Sequence, residues 1–405
     1  MRIAQVYNQQ RSEFGGEEAV IRTVERVLSR HGHSTSLMMR SSRGTDASVV
    51  RKIRAAASGV YNPRAYAEMA RFIERERPDV VHVHSVFPNL SPSVLAACRS
   101  AGVATIFHVH CHILTCPNWY HLRNGDVCNR CFGGHEHWCL LTNCRGSVPE
   151  SAAYALRSFV SRKLSLFEGN VSLFVAVSHF LKDRLVSAGY DPDRIEVVRN
   201  AVRPAPSGEA SGAAGEYVGY AGRLSPEKGV DTLIEAARIC AVPVKIAGDG
   251  PEMERLRSSA PANVEFLGRV DASLLDRFYA ASRIIAVPSR SYETFSLTVA
   301  EAMMHGKTVV ASRIGALPEL VGDDERGMLV TPNAPGELAG AMHRLWHDEP
   351  ARVRLGEAAR LWANTHCSEE VFYRSLLAVY ERAISMARAG RLATSTSLQP
   401  GECVR

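Results

Sequence analysis

The chain has 405 residues, 46% hydrophobic and 22% charged, with a net charge of +6. This composition excludes a disordered chain and suits two domains of roughly 200 residues. No apolar run reaches the ~18 residues of a bilayer span, and no basic run is interleaved with aromatics, so neither a spanning protein nor a nucleic-acid partner is expected.

The N-terminus, MRIAQVYNQQ, turns polar too soon for a secretory leader, so a cytoplasmic protein is expected. Residues 2–7 read as a first strand. Gly15 and Gly16 follow, then a helical stretch over 17–31 with apolar Ala19, Val20, Val24, Val27 and Leu28. Residues 79–84 (DVVHVH) and 103–109 (VATIFHV) are short apolar runs, as in strands buried on both faces of a parallel sheet. Strands alternating with helices point to a doubly wound α/β domain.

Six of the ten cysteines fall between Cys111 and Cys144. Without a leader, a disulfide framework is not expected. Cys128 and Cys131 have a two-residue spacing, with Cys116 upstream and Cys139 and Cys144 downstream. Four thiolates so spaced suit a structural zinc knuckle, and a reduced, metal-free loop equally. Residues 152–168 combine Tyr154, Leu156, Phe159, Val160, Leu164 and Phe167 with Arg157, Arg162 and Lys163. They read as a helix that touches an acidic membrane or packs on its own domain. Residues 1–200 carry 25 Lys/Arg and 17 Asp/Glu, which favours an anionic partner or is simply a solvated surface. Asp191-Pro192-Asp193 reads as a turn rather than a metal motif.

The first domain ends near Val202. Residues 203–216, rich in Pro, Gly, Ala and Ser, read as a linker. The strand–loop–helix pattern then restarts over 217–370, followed by an amphipathic helix at 371–388 and a disordered tail from 389 to 405. Functional residues should lie just after strands, in a cleft between the domains. Glu293 precedes a helix that opens near Phe295, Ser296 and Leu297, and Glu301 lies two turns inside it. A diphosphate suits that helix end, with Glu293 toward a sugar and Glu301 toward a ribose. The spacing is also met by two surface glutamates. Arg223 and Lys228 flank a turn after the first strand of the second domain, where two cations could neutralise a departing diphosphate or face solvent.

Seven stretches occur in one order along nearly the whole chain: FGGEE, HVHCHILTCPN, RNAV, GYAGRLSPEKGVDTLIEA, KIAGDGP, FLGRV and PSRSYETFSLTVAEAMMHGKTVVASRIGALPELV. Together they resemble the retaining glycosyltransferases of GT-B fold known as glycosyl transferases group 1. The resemblance implies two Rossmann-like domains facing a cleft, with the last helix crossing back to the first domain. It implies a nucleotide-diphosphate sugar donor, UDP- or GDP-linked, and a glycan or lipid-linked acceptor in surface polysaccharide synthesis. It also implies no divalent metal in catalysis; the place expected for the protein is the cytoplasm, free or peripheral on the inner membrane face.

Residue by residue, the resemblance puts Gly15 and Gly16 near the donor phosphates and His110 near the transferred sugar. Arg223 and Lys228 fall on the diphosphate, Gly248 to Gly250 near the nucleotide and Arg269-Val270 near the base. Glu293 falls on the sugar hydroxyls and Glu301 on the ribose. Some members have an insert whose cysteines match Cys116, Cys128, Cys131 and Cys144. Cys111 after His110, Ala201 in RNAV and Ala316 after Gly315 depart from the family pattern. A nucleotide-sugar epimerase of similar fold and a non-enzymatic sugar-nucleotide sensor are the competing readings.

Overall fold

The computed structural model describes residues 1–9, 16–42, 59–205 and 215–396. The first sheet is built from β1 (Arg2–Gln9), β2 (Ser34–Ser41), β3 (Val80–Val83), β4 (Ala104–Val109), β7 (Leu173–Ala176) and β8 (Ile195–Val197), in the order β2-β1-β3-β4-β7-β8. A small antiparallel hairpin, β5 (Leu122–Arg123) with β6 (Asp126–Val127), lies in the cysteine-rich insert. The second sheet holds β9 (Tyr217–Ala221), β10 (Val244–Ala247), β11 (Val264–Gly268), β12 (Ser282–Val287), β13 (Thr308–Ser312) and β14 (Gly327–Val330), in the order β11-β10-β9-β12-β13-β14. All pairings within the two large sheets are parallel.

The strands are parallel because helices cover both faces. That is why β3, β4, β7 and β9 are buried at every position. Among the described residues of the first domain the helices given a range are α1 (Gly16–Arg30), α2 (Pro63–Glu76), α3 (Ser93–Ser100), α4 (His137–Leu141), α5 (Val148–Lys163) and α6 (His179–Ser187). Helix α2 shows the local logic: Asn62 caps it by accepting from Ala65 N, and proline stands at its start. The second domain adds α7 (Val230–Cys240), α8 (Met253–Ser259), α9 (Ala272–Ala281), α10 (Leu297–Met304), α11 (Leu317–Val321), α12 (Pro335–His347) and α13 (Glu349–Cys367).

The last helix, α14 (Glu369–Thr396), returns to the first domain. Its Phe372, Leu376, Val379, Tyr380 and Ala383 are buried with Ile3, Val80, Ile106, Leu173 and Val175 of the first sheet. Glu369 accepts from Arg26 and Arg30 of α1. The helix runs to Thr396, so the tail expected to be disordered from 389 is helical through that residue; residues 397–405 lie outside the described part. Asp191 accepts from Asp193 N at 2.9 Å, the turn expected there.

In the second sheet the strand order reverses between β9 and β12. The loops after these two strands therefore diverge and leave a crevice at their C-terminal ends. Arg223 and Lys228 come from the first loop, and Glu293 from the second.

Candidate active site

Lys228 ends a one-turn 3-10 segment, Pro226–Lys228, that leaves β9. Gly229 follows with φ 64°, and a Cβ there would stand 2.1 Å from the Pro288 carbonyl oxygen. The two loops thus meet backbone to backbone, and only glycine fits. This contact brings the Lys228 Nζ to 2.7 Å from Glu293 Oε1, which also accepts from Ser289 Oγ at 2.6 Å. Burial alone would push the Glu293 carboxyl up; the ammonium beside it outweighs that and holds it below its ordinary value. Burial alone would lower Lys228, and the Glu293 carboxylate raises it instead. Both shifts describe one ionised pair at the crevice. Gly315 lies behind it: a Cβ there would come within 2.5 Å of the Glu293 backbone, and Ala316 N donates to Glu293 O at 2.8 Å. Arg223 stands exposed at the mouth of the same loop.

Helix α10 begins beyond Glu293. Ser296 has φ 90°, and its hydroxyl accepts from Val299 N at 3.4 Å. A serine held at that φ is strained backbone, of the kind that clusters where a chain end is aimed. The first N–H groups of the helix have no partners within it. Phe295 is buried in the core, so its ring is not offered to a ligand. Thr298 Oγ1 donates to Ala221 O at 2.9 Å, tying the helix to the end of β9. Glu301, half-buried on this helix, accepts from the buried Tyr279 hydroxyl at 2.8 Å. Burial pushes its carboxyl up to about 7; the Tyr279 hydroxyl pulls the other way and Asp276 adds to the rise.

Gly248 and Gly250 have a packing role that the sequence does not display. A Cβ on Gly248 would lie 1.8 Å from Gly222 O, and one on Gly250 2.3 Å from Leu224 O. The loop after β10 is therefore clamped on the arginine-bearing loop, and Gly248 N donates to Gly268 O at 2.7 Å. Arg269, exposed, and Val270, half-buried, leave β11 one strand farther out.

The first domain supplies the opposite wall. Gly15 lies outside the described residues. Gly16 starts α1, and a Cβ there would touch Leu297 at 3.4 Å, across the domain boundary. His110 follows β4; its carbonyl accepts from Thr294 Oγ1 at 2.8 Å, and His112 Nε2 lies 3.2 Å from Tyr292 O. The loop carrying Glu293 is thus docked on the first domain. Ser178 Oγ donates to Thr294 O at 2.6 Å, and Glu319 accepts from Arg199 at 2.7 Å. Glu17, which sequence reasoning left without a role, is a further candidate. One of its carboxyl oxygens is buried without a partner, and burial pushes the group up to about 7. The signal was a carboxylate directly after Gly-Gly at a helix start; its burial was not legible.

The cysteine insert packs beside this wall. Cys139 is fully buried and Cys116 nearly so. The hydrogen bond from Cys139 lowers the Cys144 thiol, with the Thr142 hydroxyl 3.1 Å away adding to it. Cys139, named by the spacing but left out of the set that the resemblance implies (Cys116, Cys128, Cys131 and Cys144), thus lies against Cys144. Tetrahedral thiolates at a Zn–S distance of ~2.3 Å stand about 3.8 Å apart. Among the described residues no three cysteine sulfurs lie within 4.8 Å of one another, so as placed they do not form a closed zinc site. Arg157, on the helix read either as touching a membrane or as packing on its own domain, is buried, in keeping with the second alternative at this position. It lies 4.1 Å from the Phe87 ring and 4.4 Å from that of Tyr154, and bonds Pro117 O. Its guanidinium holds the insert against the first domain.

Two parallel six-stranded sheets with their strand ends turned on one cleft are the GT-B architecture. Residues 14–205 match Glycosyltransferase Family 4, and residues 209–362 match Glycosyl transferases group 1. The chain therefore carries a Glycosyltransferase Family 4 domain followed by a Glycosyl transferases group 1 domain. D-inositol 3-phosphate glycosyltransferase from Acidothermus cellulolyticus is 33% identical over 242 residues, 50% of this chain and 53% of that protein. Sulfoquinovosyl transferase SQD2 from Arabidopsis thaliana is 32% identical over 148 residues, 35% of this chain and 28% of that protein. The chain thus spans about half the length of these relatives or less. Sucrose-phosphate synthase from Thermosynechococcus elongatus superposes with a TM-score of 0.67 at 17% identity, covering 98% of this chain and 99% of that one. Anabaena Alr3699/HepE in complex with UDP does so with 0.66 at 19% identity, covering 94% and 100%. These likenesses establish the GT-B fold.

Proposed function

We propose that this chain transfers a hexose-type sugar from a nucleoside-diphosphate sugar to an acceptor hydroxyl, with retention of anomeric configuration. The observation that carries this reading is the Lys228–Glu293 ion pair at the crevice of the second sheet, 2.7 Å long and supported by Ser289. The diphosphate sits between the start of α10 and the cations Lys228 and Arg223, which stabilise it as it leaves. Lys228 turns toward the phosphate, and Glu293 takes the sugar hydroxyls. Glu301 takes the ribose hydroxyls, with Gly248, Gly250, Arg269 and Val270 along the nucleoside side. The two cations do the work that a divalent ion does elsewhere. The acceptor approaches the same face that the diphosphate leaves, and a departing phosphate oxygen accepts its proton. UDP is favoured over GDP as the carrier by the likeness to Alr3699/HepE, whose structure contains UDP.

Steady-state kinetics separate the two glutamates. Glu293→Ala should mainly lower kcat, because its grip on the sugar matters as the anomeric bond breaks. Glu301→Ala should mainly raise KM for donor, because the ribose is held equally in both states. Reversed effects would overturn the assignment, and release of free epimerised sugar without acceptor would replace transfer by epimerisation.

A second part of the proposal concerns the acceptor. Val148, Leu156 and Phe159 are exposed along one side of α5, near Leu164 and Leu141, with Lys163 exposed beside them. Such an apolar strip with a basic edge suits shallow contact with an acidic membrane carrying a lipid-linked acceptor. Flotation with anionic vesicles, lost in Leu156→Asp, tests it. For the insert we propose a structural zinc on Cys116, Cys128, Cys131 and Cys144, tightened from the arrangement described above. Elemental analysis of protein purified without chelator should give about one equivalent; absence of metal would refute it.

A further inference from the structure

Four histidines on neighbouring strands form a dense set of titratable groups beside the cleft. His82 lies on β3 and His84 just beyond it; His108 lies on β4 and His110 just beyond it. Alternation places all four on one face of the sheet, the face that α14 covers through Tyr380. His82, His84 and His108 are buried, and burial pushes all four imidazoles well below their ordinary value, His110 to about 3. All four are neutral.

Nitrogens of His82, His84 and His108 lie within 4.8 Å of one another, a spacing that also suits a metal. The ring geometry opposes that reading. His82 and His84 stack at 4.1 Å with 23° between planes, so their in-plane lone pairs run alongside each other and do not converge. Both nitrogens of His82 and of His84 already have partners, and only His108 Nε2 is buried without one. His82 Nδ1 is 2.8 Å from the Tyr380 hydroxyl, and its Nε2 is 3.1 Å from His108 Nδ1. His84 Nδ1 is 2.9 Å from His110 Nε2, and its Nε2 is 3.0 Å from Gln5 Oε1.

The second of these chains has one consistent proton arrangement. A neutral imidazole has one N–H donor and one lone pair, and an amide oxygen only accepts. Gln5 Oε1 therefore requires the proton on His84 Nε2. His84 Nδ1 then carries the lone pair and must accept from His110 Nε2–H. The remaining nitrogen of His110, Nδ1, is left as an acceptor. We infer that Gln5 and His84 are positioning residues that fix His110 as its Nε2–H tautomer, so that Nδ1 accepts a hydrogen bond from a substrate hydroxyl in the cleft. The placement of a hydroxyl there rests on the glycosyl-transfer reading; the tautomer does not. The His110 carbonyl is joined to Thr294, next to Glu293, so the ring stands at the sugar end of the proposed site.

The test is long-range proton–nitrogen NMR on full-length protein labelled at the imidazole nitrogens, in which protonated and bare ring nitrogens resonate far apart. In the wild type, His110 should show a protonated Nε2 and a bare Nδ1 between pH 6 and 8. Gln5→Met, which keeps the volume and removes the acceptor, should convert this to a mixture of tautomers. It should lower kcat about five- to tenfold, the worth of one net hydrogen bond, with donor KM unchanged. Gln5→Glu, which keeps an acceptor oxygen, should restore the single tautomer. A protonated Nδ1 in the wild type would overturn the inference even if no variant folds, as would unchanged His110 resonances in a folded Gln5→Met protein. If wild-type protein shows the expected tautomer but turns over no sugar nucleotide, the glycosyl-transfer reading fails separately, and the proposed hydroxyl contact falls with it.

Discussion

Replacing Glu301 by glutamine should stabilise the ligand-free protein at alkaline pH while weakening its hold on donor. The Glu301 carboxyl titrates near 4.5 when unburied and about 7 in the fold, chiefly through burial. Between those values the native state keeps a proton that the unfolded chain has released. Stability therefore falls as pH rises from 4.5 to 7 and levels off above. The interval corresponds to at most about 3.4 kcal/mol. Partial exposure of the side chain reduces this to roughly 1.5–2 kcal/mol. Glutamine is close in shape to the protonated acid, still accepts from Tyr279, and has no charge to desolvate. At roughly 2–4 °C per kcal/mol for a domain of this size, Glu301→Gln should melt about 3–8 °C above wild type at pH 8 and within about 2 °C of it at pH 5. Differential scanning calorimetry of the apo protein across that range is the assay. An equal difference at both pH values, or a lower melting temperature at pH 8, would refute the reasoning, because only a buried acid that ionises late produces the pH-dependent gap.

Other outcomes follow from the same geometry. Lys228→Ala and Arg223→Ala should each lower turnover by roughly 10²-fold, measured by release of nucleotide in the presence of acceptor; near-normal turnover in both would remove them from the mechanism. Gly229→Ala places a methyl 2.1 Å from Pro288 O at φ 64° and should cost about 2–4 kcal/mol by chemical denaturation, with loss of activity as the two loops part. Arg157→Ala should loosen the insert, seen as faster proteolysis between residues 117 and 145, while donor affinity is retained.

Much of the fold was legible because it is written in short-range pattern. The apolar runs at 79–84 and 103–109 became β3 and β4 within a residue or two, and the strand–loop–helix pattern that restarts at 217 became a second parallel sheet. Glu293 and Glu301 were placed on the correct sides of a helix start because capping and strand–loop–helix order are local signals. What escaped reading depends on partners far away in sequence. The sequence left open whether the helix of Arg157 touches a membrane or packs on its own domain, and only the distant rings of Phe87, Trp119 and Tyr154 make Arg157 a buried cation. Gly248 and Gly250 read as ligand-facing glycines, yet backbone atoms of residues 222 and 224 are what exclude a side chain there. The helix ending at Thr396 was cut short because its last turns carry small and polar residues.

The return of α14 to the first sheet bears on how the chain is made. Phe372, Leu376 and Tyr380 close one face of a sheet whose last strand ends at Val197. On a ribosome adding about 5–20 residues per second, that face waits roughly 10–40 s for its cover. The first domain therefore cannot complete its interior when it emerges; it must be held, by chaperones or by its own provisional collapse, until the final helix arrives. A fragment cut at the linker would be an unfinished half rather than a module, and grafting the donor-binding domain of another family member onto this one would succeed only if this chain's own last helix came with it.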